Sequence, residues 1–150
     1  MKSHGLRTTA AAAAIVALLG ISAPAEAKPG GVSAIPLNTE QEVTGSNTGA
    51  SGFFSYSISG SQFCYTLTAR NLSVPATAAH VHLAPRNVAG PVVIPLSVGS
   101  GTSWTVETCT MMTDATGLQA LAGIQVNPRA YYVNVHTPTF PGGEIRGQLK

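Results

Sequence analysis

Charge is scarce in this sequence, with Asp, Glu, Lys and Arg making up only 9% of its 150 residues. No basic stripe is present to follow a nucleic-acid backbone, and no polybasic cluster to hold an anionic membrane. Cysteine is limited to Cys64 and Cys109, and neither lies in a C-x-x-C pair, which speaks against thiol redox chemistry and thiolate metal sites. Beyond the N-terminal segment no long apolar run occurs, so nothing further along reads as a membrane span. Motifs of several enzyme classes are also missing: there is no phosphate-binding glycine loop, no nucleophile elbow and no H-E-x-x-H. Glu40 and Glu42 could in principle form a carboxylate pair, but on one strand face they read as solvated edge charges.

The N-terminus has the three parts of a secretory signal: basic Lys2 and Arg7, the apolar run "AAAAAIVALLGI", and Ala25 and Ala27 in A-x-A spacing. Residues 1–27 are expected to be cleaved, residues 28–33 to form a flexible lead-in, and residues 34–150 to form one domain. Removing 27 of the 150 residues leaves 123, enough for a single core. That mature part carries six basic and five acidic residues, a net charge near +1, and has no transmembrane anchor. In an oxidising compartment Cys64 and Cys109 are expected to form a disulfide.

Short β-branched and aromatic runs alternate with Gly, Pro, Asn and Ser clusters, the pattern of an antiparallel all-β domain. Eight strands are predicted: "AIPLNTEQEV", "GFFSYSIS", "QFCYTLTAR", "AAHVHLA", "GPVVIPLSV", "SWTVETCT", "AYYVNVHT" and "GEIRGQLK". Gly60-Ser61 fits a two-residue type II′ hairpin. One short helical turn is predicted in "TGLQALAG", with Thr116 and Gln119 in capping-box spacing and Gly123 closing the end.

Side chains on a strand alternate faces, so parity separates a core face from its opposite. Phe54, Tyr56 and Ile58, and likewise Phe63, Tyr65 and Leu67, form core faces, which puts Cys64 on the other side. In "AAHVHLA", Ala79, Val81 and Leu83 share one face, and His80 and His82 the other. In "YYVNVHT", Tyr131, Val133 and Val135 face one way, and Tyr132, Asn134 and His136 the other. All three histidines therefore belong to the face away from the core. Two readings stay open there: imidazoles hydrated on an exposed sheet face, or a three-nitrogen site for copper or zinc, since i and i+2 rings can reach one ion.

The phrases "AAHVHLAPRNVAGPVVIPL" and "NPRAYYVNVHTPTFPGGEIRGQL", with "LNTEQEV" and "GFFSYSISGSQFCYTLTARNLS" before them, resemble the chordin-type (CHRD) domain from about Ala34 to Leu149. The resemblance implies an extracellular β-sandwich of immunoglobulin-like character and no settled activity. It carries over His80, His82, His136, Gly142, Gly143, Glu144 and Arg146 as recurrent positions without agreed roles. A fainter likeness is to the copper site of copper-zinc superoxide dismutase, an H-x-H pair plus a later histidine outside a Greek-key barrel. Too few histidines are present for a zinc site of that kind. Arg146 could guide an anion to such a centre, but its expected partner is Glu144, in an exposed pair of little energetic weight.

The expected fold is thus an all-β antiparallel Greek-key sandwich or barrel, immunoglobulin-like or superoxide-dismutase-like. The expected function is a secreted binding or structural module for an extracellular protein or cell-surface ligand, without nucleic acid, with the histidine face as its functional surface. The alternatives are a copper-only redox enzyme and a passive copper or zinc sequestration protein. Asn71, in "NLS", is a glycosylation sequon only in a suitable host.

Overall fold

The computed structural model describes residues 33–150. The expected signal segment and nearly all of the lead-in lie outside the described residues. Eight antiparallel strands form one continuous sheet: β1 (Ile35–Asn38), β2 (Ser51–Ser59), β3 (Gln62–Arg70), β4 (Ala78–Leu83), β5 (Val92–Leu96), β6 (Trp104–Met111), β7 (Tyr131–His136) and β8 (Ile145–Gln148). Their order is β5-β4-β7-β8-β1-β2-β3-β6. The sheet curls strongly, because Tyr65 on β3 accepts a hydrogen bond from Ser97 N, just past β5, at 2.7 Å although the two strands lie far apart in the order. The result is the all-β, barrel-like sandwich expected from the alternation pattern.

The core lies inside the curl. From β2 and β3 it receives Leu67 and the aromatic residues Phe54, Tyr56, Phe63 and Tyr65, whose rings pack with centroids 5.8 to 6.4 Å apart. Ala79, Val81, Ile94, Val133, Val135 and Ile145 close it from the other half. The β2–β3 hairpin turns at Gly60, whose φ of +58° is the left-handed conformation that glycine adopts without a Cβ penalty.

Two expected elements differ. The predicted helical turn is a three-turn helix, α1 (Ala115–Val126), and its N-cap is Asp114, which accepts from Gly117 N at 2.9 Å, rather than Thr116. Gly123 does not end the helix but sits inside it, where the Tyr131 hydroxyl occupies the space a side chain would take; Asn127 forms the C-cap. The first strand stops at Asn38, whose side chain accepts from Gln41 N and turns the chain through a 3-10 segment, Thr39–Gln41. Glu40 and Glu42 therefore share no strand face: Glu40 is exposed and Glu42 is buried.

Cys64 and Cys109 face each other directly across β3 and β6 and are bonded. The bridge fastens the edge strand β6 from the face opposite the core, as parity required. Closing a loop of sequence separation 45 restricts the unfolded chain. Replacing both cysteines by alanine is expected to lower unfolding free energy by roughly 3 to 4 kcal/mol in urea titration. A loss below about 1 kcal/mol would show that the unfolded chain is not the state the bridge acts on.

Candidate functional site

Strands β4 and β7 are neighbours, with Ala78 opposite His136, His80 opposite Asn134, and His82 opposite Tyr132. This register puts His80, His82, Asn134 and His136 on one patch of sheet. The face is the one parity assigned, but it is not a solvent face. His82 and His136 are buried, Asn134 is wholly buried, and every residue of β7 is shielded on both sides. Only His80 is partly open.

Two loops cover the patch. The first, residues 84–91, is held by β8: Arg146 donates to the carbonyls of Pro85 and Val88, each at 2.9 Å, and Gln148 donates to that of Ala84. Gly90 sits so close to the Leu83 carbonyl that no larger residue fits. Its N–H donates to the Tyr132 hydroxyl and its carbonyl accepts from His82 Nδ1 at 2.9 Å. The second loop, residues 137–144, is fastened by Glu144, whose carboxylate accepts from Thr48 Oγ1, Ser73 N, Ser73 Oγ and Thr137 Oγ1. Its Pro141 carbonyl accepts from His136 Nδ1 at 2.9 Å.

The expected exposed pair of Arg146 and Glu144 does not form. Both side chains are fully buried, and each spends its charge on a different loop. The Arg146 guanidinium also lies 3.3 Å from the centre of the Tyr132 ring, whose plane runs nearly parallel to the His82 ring at 4.7 Å. Buried charge is expensive unless it is hydrogen-bonded, so two carbonyl acceptors and a π face gather around the guanidinium, whose Nε alone has no partner.

The carbonyl contacts determine the tautomers. A carbonyl oxygen can only accept, so the nitrogen facing it must carry the proton. His82 and His136 are therefore protonated on Nδ1 and direct the lone pair of Nε2 elsewhere. His136 Nε2 lies 3.0 Å from His80 Nδ1, and His82 Nε2 is buried without a hydrogen-bond partner. One nitrogen from each ring falls within 4.8 Å of the others. A tetrahedral ion with bonds near 2.0 Å spaces its ligands about 3.3 Å apart, within reach of small side-chain adjustments. Backbone carbonyls behind two of three imidazoles are the outer contacts that orient histidine ligands.

Electrostatics favour the same chemistry. Desolvation, aided by the charges His136 and His82 would carry, pushes His80 down to about 4. Burial also lowers His82 and His136 below the ordinary imidazole value. All three are neutral near pH 7, the form that binds metal. Glu42, read in the sequence as a solvated edge charge in preference to a carboxylate pair with Glu40, is pushed up to about 6 by desolvation, which Asn134 and Arg146 partly oppose. Gly143, at φ +126°, lets Glu42 and Asn134 approach, since a Cβ there would meet both.

The sequence brought out the three histidines, Gly142, Gly143, Glu144 and Arg146, and the structure draws all of them into this region. It adds Glu42, Tyr132, Asn134 and Gly90. Tyr132 and Asn134 already shared the parity of His136, but a neutral polar residue on a face taken as hydrated carries no signal. A family model for the CHRD domain matches residues 33–149. No curated protein and no solved structure matches.

The shifts predict a pH dependence for the metal-free protein. Histidines in the unfolded chain take up protons near pH 6.5 while folded His80 resists down to about 4, so the unfolded state binds more protons and stability falls as pH drops through that window. Glu42 has the opposite sign, because between 4.5 and about 6 the folded state binds the extra proton and gains stability as pH falls. Urea unfolding in chelator at pH 7, 6, 5 and 4 is expected to show declining stability, and Glu42→Gln a steeper decline below pH 6. A flat profile would contradict the burial of these imidazoles.

Proposed function

The chain belongs to the CHRD domain family, and on that footing we propose that it is an exported binding module whose histidine patch holds one copper or zinc ion. The family match supports a binding or structural module. Export is supported by the signal-like layout of residues 1–27 and by the disulfide, which suits an oxidising compartment. No helix among the described residues is long and apolar enough to cross a membrane. The partner in this reading is an extracellular protein or cell-surface ligand.

The observation that carries the metal reading is the convergence of three imidazole nitrogens, two of them with tautomers fixed by backbone carbonyls. His80, His82 and His136 would hold the ion. Imidazole suits copper and zinc, and no thiolate is available to compete, because both cysteines are bonded. When bound, the ion would replace the His80–His136 hydrogen bond and give the orphaned His82 nitrogen a partner. This chain's own part is to orient the rings, keep them neutral and exclude water from two of them. A superoxide-dismutase-like redox role has less support, because Arg146 is buried and engaged and so is not free to guide an anion.

Calorimetric titration of the chelator-treated protein with Zn2+ and with Cu2+ is expected to give one-to-one binding, weakened more than about 100-fold in His80→Ala, His82→Ala and His136→Ala. At 100 times the dissociation constant, the ion should raise unfolding free energy by about 2.7 kcal/mol. Weak binding unchanged by all three substitutions would end the metal reading and leave a metal-free module.

A further inference from the structure

Four buried polar atoms without a hydrogen-bond partner belong to one neighbourhood: the donor Arg146 Nε and three acceptors, His82 Nε2, Asn134 Oδ1 and Glu42 Oε1. A buried acceptor left unanswered costs about 1 to 3 kcal/mol, so three together call for an explanation. Asn134 is 0% exposed and lies opposite His80 on the neighbouring strand, two residues before His136. Its side chain stands beside the His82 ring.

The orientation of its amide follows from its surroundings. Asn134 Nδ2 donates to the Gly142 carbonyl at 3.3 Å, and the Glu42 carboxylate approaches the same nitrogen across Gly143. Both neighbours are acceptors, so the nitrogen must face them and Oδ1 must face the other way. His82 Nε2 carries a lone pair, because Nδ1 holds the proton facing Gly90. Two lone-pair atoms, an imidazole nitrogen and an amide oxygen, are thus buried close to each other, and neither has a hydrogen-bond partner. A cation touching both answers both.

We propose that Asn134 Oδ1 is a fourth ligand, so that the site is a closed set of three nitrogens and one oxygen selecting a divalent ion over cuprous copper. The proposal rests on the three-histidine reading and specifies its donor set. An amide oxygen is a hard donor that suits Zn2+ or Cu2+, whereas Cu+ favours soft ligands. Glu42 acts behind it as a positioning residue. Its carboxylate beside Nδ2 polarises the amide toward oxygen and offsets part of the dication's charge, the outer-contact role that carboxylates play behind histidine ligands.

The test uses the full mature chain, with Zn2+ and Cu+ as probes. In wild-type protein titrated with Zn2+, the Asn134 side-chain 15N resonance is expected to shift in step with binding, because coordination through oxygen draws electron density from the amide nitrogen. Asn134→Leu, close in shape, is expected to bind Zn2+ at least about tenfold more weakly while Cu+ affinity changes less than about twofold. One-to-one Zn2+ binding with an unmoved Asn134 resonance, or equal Zn2+ affinity in Asn134→Leu, overturns the proposal and leaves the three-histidine site standing; a water molecule then answers the two acceptors. Absence of Zn2+ binding by the wild type overturns both. If Asn134→Leu fails to fold, the wild-type resonance decides alone.

Discussion

A guanidinium cannot give up its proton inside a protein, so burying Arg146 obliges its surroundings to supply acceptors. Most of the second face follows from that obligation. The acceptors are the carbonyls of Pro85 and Val88, so the 84–91 loop must lie down over the sheet. Once down, it delivers the Gly90 carbonyl to His82 and sets that ring's tautomer. Tyr132, held between the guanidinium and the His82 imidazole, keeps both in place. Lysine could not substitute, because it lacks the planar fork that reaches two carbonyls and still stacks on a ring.

Glu144 does the same for the other loop with the opposite charge. It gathers Thr48, Ser73 and Thr137, and the 137–144 segment it closes gives the Pro141 carbonyl to His136. Two buried charges of opposite sign, which do not pair with each other, each close one loop, and each loop orients one histidine. His80, which takes no carbonyl from either loop, is the ring left partly open. The patch is thus a second, polar core on the outside of the curled sheet, built around two buried charges that are each hydrogen-bonded to a different loop.

Alternation alone revealed the eight strands, most core residues of β2, β3, β4 and β7, and the shared parity of the three histidines, because a period of two is a local property. Leu83, expected on the core face of β4, is exposed, beyond the register shift between Val81 and His82. Alternation could not show that β4 and β7 are neighbours, since 56 residues separate His80 from His136 and no local signal spans that distance. Nor could it show that the far face is covered. Loops rich in Pro and Gly read as surface, and only the buried Arg146 and Glu144 reveal that these loops fold back over the sheet. Helix α1 outran its expected turn because its apolar residues pack against the sheet, and its internal Gly123, read as a stop, is there to admit the Tyr131 hydroxyl. Glu42 was misplaced because the strand reading carried through the Asn38 cap that ends it.

Strands β1 and β8 are antiparallel neighbours, joined at Asn38 and Arg146, and Gly147 rests against Ile35 and Pro36. The first and last strands of the domain therefore open at the same end, side by side. A fold with that geometry behaves as a cassette: it can be spliced into a loop of a host protein, or its flanks joined and the backbone cut elsewhere, without stretching either neighbour.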